Sequence, residues 1–131
     1  MSIARHVNRT VAAFASRAVH VYGRVAIGAT GAVGAKTGQG FSVARTDVGA
    51  YTVTLVGSGP TPILWAEANV SFEYDDTLYV AVVDPIDPDT RTVGLQIVSV
   101  ADDGASAAAD PPNGSFLQIH VVENDVKVGS N

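Results

Sequence analysis

From residue 19 onward, apolar and polar residues alternate with a period of two. In "LWAEANVSFEY" (64–74), Leu64, Ala66, Ala68, Val70, Phe72 and Tyr74 fall on one side, while Glu67, Asn69, Ser71 and Glu73 fall on the other. That is the pattern of a strand with one wet face. The same signal recurs in "VHVYGRVAI" (19–27), "FSVART" (41–46), "AYTVTLV" (50–56), "LYVAVV" (78–83), "TVGLQIVSV" (92–100) and "SFLQIHVVE" (115–123). These runs are rich in the β-branched and aromatic residues that fit a pleated surface. Turn formers separate them: "TDVG", "GSGPTP", "YDDT", "DPIDPDT" and "ADDGASAAADPPNG". Short strands and turns at this spacing predict an all-β fold, an antiparallel β-sandwich with jelly-roll-like character.

Three connections carry more detail. "TDVG" supplies Asp47 to hold a turn and Gly49 for a positive φ, so a hairpin between 41–46 and 50–56 is encoded locally. "DPIDPDT" repeats Asp-Pro and makes a rigid turn; Asp84, Asp87 and Asp89 lack the spacing and the closing glutamate of a calcium loop. The long "ADDGASAAADPPNG" is expected to cross from one sheet to the other. Ahead of the strands, Ile3, Val7, Val11 and Phe14 recur at three and four residues, with Arg5, His6, Asn8, Arg9 and Arg17 off that stripe. A short basic amphipathic helix and an extended arm both satisfy this pattern.

A chain of 131 residues forms one core, divided here into an arm at 1–18 and a single sandwich domain at 19–131. It contains no cysteine, which removes disulfides and thiolate chemistry. No run of eighteen uncharged apolar residues is present. Arg5, His6 and Arg9 interrupt the region a signal peptide keeps apolar, so synthesis and retention in the cytoplasm are expected. Charge is uneven: residues 1–46 carry six basic residues and no acid, whereas 47–131 carry all thirteen acids against Arg91 and Lys127. The two parts can neutralise each other within the fold, or the basic segment can dock on an acidic neighbour. Nucleic acid is not an expected partner, because the bases form no dense patch and the remainder repels phosphate.

"GATGAVGAKTGQG" (28–40) imitates a phosphate-binding loop, yet Ala35 precedes Lys36 and Thr30 stands where the first glycine belongs. A strand pattern follows it, so no helix dipole would face an anion. The stretch is expected to be a flexible surface connection. His6, His20 and His120 lie in the arm or on polar sides of strands, where solvated histidines are ordinary. Glu67 and Glu73 share a face but stand about 20 Å apart, too far to flank one bond. No nucleophile elbow or His-Glu-x-x-His is present. No catalytic residue, metal ligand or cofactor is assigned, and the protein is expected not to be an enzyme. Trp65, the single tryptophan, sits beside Ile63 on the side that later turns polar. It packs at a sandwich edge, contacts a subunit or forms a sugar-stacking platform.

The stretches "GFSVARTDVGAYTVTL" and "ADPPNGSFLQIHVV" resemble a recurring pattern in small virion proteins of tailed bacteriophages. It is carried by Gly38, Gly40, Ser42, Val43, Arg45, Thr46, Gly49, Tyr51, Val53, Thr54 and Leu55, then by Ala109, Asp110, Pro111 and Gly114, over residues 21–123. The resemblance implies a β-sandwich module that self-associates, often as a trimer, in the head or tail, and it carries no catalytic residues. The reading it supports is a capsid decoration or cement protein located in the virion. A tail or head fibre component and a carbohydrate-binding module are the alternatives. Its expected partners are copies of itself and the major capsid protein or another virion protein, contacted through Ile3, Arg5, Val7, Arg9, Val11, Phe14 and Trp65. Apolar residues make up 47% of the chain and charged ones 16%, more apolar surface than a small sandwich needs inside, which points the same way.

Overall fold

The computed structural model describes residues 18–57, 63–86 and 90–124. They form nine strands: β1 (Ala18–Ile27), β2 (Val33–Gly38), β3 (Phe41–Asp47), β4 (Ala50–Leu55), β5 (Ile63–Ser71), β6 (Thr77–Val83), β7 (Thr92–Ala101), β8 (Ser106–Ala108) and β9 (Phe116–Asn124). One sheet, sheet A, has the order β2-β1-β9-β5. The other, sheet B, has the order β3-β4-β7-β6, with β8 pairing alongside β7. Every pairing is antiparallel. Two sheets packed face to face make the all-β sandwich that the period-two alternation predicts.

Inward residues of both sheets meet in one core. Sheet A contributes Val21, Val25, Ile27, Ile63, Leu117, Ile119 and Val121; sheet B contributes Phe41, Tyr51, Val53, Leu55, Val93, Leu95 and Ile97. Each fully buried aliphatic side chain contributes about 1.5–3 kcal/mol over leaving it in water. Gly23 in β1 admits a close contact between the sheets. A Cβ there would lie inside the Phe41 ring, so glycine lets this aromatic side chain of sheet B seat against the β1 backbone.

Four expectations from the sequence are corrected. The glycine stretch is not a loose connection: it forms a 3-10 turn at Ala29–Gly31 and then β2, which pairs with β1 from Gly23↔Gly38 to Ile27↔Val33. Its side chains are too small to show a period, and the partner strand imposes the order. Ile63 does not share the polar side with Trp65, because the register slips between the two and Ile63 drops into the core. The same bulge turns Leu64 outward, away from the side it was expected to share with Ala66. Tyr74 also leaves the core side, since β5 ends at Ser71. The long connection after β7 does pass between sheets, and on the way it adds β8.

The "TDVG" hairpin forms as its residues dictate. Asp47 Oδ1 accepts the Val48 amide at 2.7 Å, and Gly49 takes a φ of 69°. Asp110, from the β8–β9 connection, locks this turn. Its carboxylate accepts two hydrogen bonds from Arg45, both 2.9 Å, and one from the Gly49 amide at 2.8 Å. Those bonds, Arg45's first and the Gly49 amide's after it, hold the Asp110 carboxyl below its ordinary value. Beneath them the buried Tyr51 hydroxyl donates to the Gly31 carbonyl at 2.7 Å, tying the 3-10 turn to β4. Burial, and then the nearby Asp110 charge, push the Tyr51 phenol up to about 12.

Candidate functional site

The solvent-facing sides of the two sheets differ in chemistry. Partners directly across an antiparallel pair share a face, so the register defines rows of side chains on the outside of sheet A. One row is Thr37–Arg24–Gln118–Asn69, crossing β2, β1, β9 and β5 in turn. The next is Tyr22–His120–Glu67, and the third is His20–Val122–Trp65.

These rows interlock around His120. Its Nε2 lies 3.0 Å from His20 Nδ1, and its Nδ1 lies 3.6 Å from Glu67 Oε1. The Tyr22 ring stacks on the imidazole with centroids 4.1 Å apart, and the Trp65 indole meets it edge-on at 4.9 Å. The Tyr22 hydroxyl reaches His20 Nδ1 at 3.5 Å. His120 is therefore held by four neighbours from the two strands that flank β9. His20 and His120 are on polar strand faces as expected, but they are not independently solvated, and His6 lies outside the described residues. Their contact spans one hundred residues of sequence, and no local pattern signals it.

Beside this cluster lies an open depression of about 470 Å³. The Thr37–Arg24–Gln118–Asn69 row and the Tyr22–His120–Glu67 row both line it, and Gly23, Gly38 and Ile119 complete the lining. Gly23 and Ile119 occupy positions whose side-chain direction is the core, so their backbone forms its floor. Arg24 also lies over the Phe116 ring, 4.7 Å from its centroid, which steadies the guanidinium.

The outside of sheet B has rows of another kind: Ser42–Thr54–Thr92, Ala44–Thr52–Gly94, Ala50–Gln96–Val82, Val80–Val98–Ala108 and Leu78–Val100–Ser106. Asp47, paired with Ala50 at the end of β3, is the single ionisable residue at these outward strand positions. Asp84, just past β6, approaches the face at its rim, where a Cβ on Gly94 would meet the carboxylate. Leu78, Val80 and Val82 on the edge strand β6 are each nearly half exposed, at 49%, 47% and 48%. With Val98 and Val100 they make a continuous aliphatic patch on a sheet edge.

Of the residues singled out in the sequence, Ile3, Arg5, Val7, Arg9, Val11 and Phe14 lie outside the described residues. Trp65 is on the edge strand of sheet A, 46% exposed, packed against His120. Among the described residues no group of three or more His, Cys, Asp or Glu is placed to hold a metal ion. No helix among them is long and apolar enough to cross a membrane. No family model matches the chain, and neither a curated protein nor a solved structure is significantly similar to it.

Proposed function

We propose that the protein is a structural assembly module that joins copies of itself through the outer face of sheet B. The observation that carries this reading is the aliphatic patch on the outer face, with Leu78, Val80, Val82, Val98 and Val100 gathered at the β6 edge. Natural sheets blunt an exposed edge with charge, proline or a bulge, because bare apolar edges aggregate. Here the outward positions of the edge strand are aliphatic throughout. A cover of matching chemistry is required, and a second copy of the chain supplies one at no cost in specificity. A stable contact buries about 1,200–2,000 Å² in total with an apolar centre, and the aliphatic patch furnishes that centre.

The setting we propose for this module is the virion of a tailed bacteriophage, as a capsid decoration or cement protein. The resemblance over residues 21–123 supports it. The motif residues Arg45, Gly49 and Asp110, drawn from its two separate stretches, form one hydrogen-bonded node, so the pattern describes a folding unit. In this proposal the basic segment 1–18 holds the shell and sheet B holds the sister subunits.

The two roles separate experimentally. A chain lacking residues 1–16 is expected to stay folded and keep its oligomeric mass while losing its binding to purified particles. Retained particle binding removes the role of the segment. Absence of the intact protein from particles that carry its gene removes the virion reading.

A further inference from the structure

The depression on sheet A, far from the proposed subunit face in both chemistry and position, has no part in the assembly just described. We propose that it is a binding site for a neutral saccharide, seated between Tyr22 and the Arg24–Gln118–Asn69 row.

The chemistry of the lining selects this ligand class. Asn69 and Gln118 each offer an acceptor oxygen and an amide donor on adjacent strands, in register, 118 opposite 69. Arg24 adds donors and Glu67 adds acceptors. A ring of vicinal hydroxyls, each both donor and acceptor, matches such an alternating set. An anion would meet the Glu67 carboxylate and a cation would meet the Arg24 guanidinium, so the mixed pair disfavours net charge of either sign. Tyr22 supplies the apolar component, a ring 61% exposed at the border of the depression and available to the C–H groups of a sugar. The volume of about 470 Å³ lies within the roughly 300–1,000 Å³ typical of small-ligand clefts.

Preorganisation is the second part of the inference. Tyr22 is stacked on an imidazole that Glu67, His20 and Trp65 also grip, so its place is fixed before any ligand arrives. Four strands position the polar groups, and rigid strands hold a site more accurately than loops do. None of Asn69, Gln118 or Tyr22 contributes its side chain to the core. Their arrangement is therefore not explained by packing of the sandwich.

Trp65 is the only tryptophan and touches His120, a lining residue, so its fluorescence reports on the depression. The full chain is titrated with maltotriose, cellotriose, chitotriose and mannotriose, and with sialyllactose as the charged comparison. Fluorescence and calorimetry are the two readouts. Saturable binding of at least one neutral trisaccharide is expected, weakened tenfold or more by Gln118→Ala and by Tyr22→Ala, with oligomeric mass and circular dichroism unchanged. Three results overturn the proposal: no saturable binding of any neutral probe up to millimolar concentration, binding of the charged probe alone, or neutral-probe binding that both variants leave intact.

Discussion

The two outer faces of this sandwich share one core and one strand geometry, yet they are finished in opposite ways. Across sheet A, the rows Thr37–Arg24–Gln118–Asn69 and Tyr22–His120–Glu67 set ionisable, amide and aromatic groups side by side. Across sheet B, Asp47 at the end of β3 is the single ionisable outward strand position, and the β6 edge carries only leucine and valine there. Fold stability does not demand this division, since either face could be finished with threonine and lysine at no loss to the core. We therefore propose that the faces differ in what they meet: sheet A a small polar partner and water, sheet B another protein surface.

The largest effect is expected where the faces depend on each other. Gly23→Val forces a side chain into the space of the Phe41 ring, where sheet B packs on the β1 backbone. It should cost about 3 kcal/mol, the upper part of the range for overpacking, and should degrade ligand binding and subunit assembly together. Urea denaturation measures the cost. A loss below about 0.5 kcal/mol, the ordinary scatter of surface changes, would mean that the sheets do not meet as described.

A smaller change separates the interior from both faces. Tyr51→Phe deletes the hydroxyl that donates to the Gly31 carbonyl and should cost about 1–2 kcal/mol without altering either outer surface. The pH dependence has a definite sign. The folded-state phenol is raised from its ordinary value to about 12, so the protonated form is favoured by folding. Its contribution is complete below pH 10 and is lost as pH climbs from about 10 through 12. The wild-type chain should lose stability over that interval, and Tyr51→Phe should lose less. Equal alkaline slopes for the two proteins in denaturation curves would contradict the burial of this hydroxyl.

The sequence made some of these features legible and hid others, for reasons of range. Strands whose side chains alternate in size and polarity, such as "AYTVTLV" and "SFLQIHVVE", declare themselves within a few residues. The "TDVG" turn does so as well, because Asp47 and Gly49 act on their own backbone. β2 and β8 are built largely from glycine, alanine and other small residues, and become strands only because β1 and β7 pair with them. The bulge between Ile63 and Trp65 inverts the side each residue faces, and alternation read straight through it fails. Both the His20–His120 contact and the Arg45–Asp110 pair join distant positions, 100 and 65 residues apart in sequence. Topology creates them, so composition and spacing carry no trace. Once the pairing is known, the polar residues at 22, 24, 67, 69, 118 and 120 are the signal for sheet A, since one face collects them from three strands.

The contrast between the faces rests most heavily on sheet B, and native mass spectrometry of the full chain beside Val80→Lys tests it directly. Val80 points away from the core, so the lysine should leave the subunit folded, as circular dichroism would verify. The wild-type chain is expected to fly as a multiple of its monomer mass at micromolar concentration, and Val80→Lys as the monomer. A wild-type chain that is monomeric at that concentration, or an oligomer that the lysine leaves intact, would contradict the account.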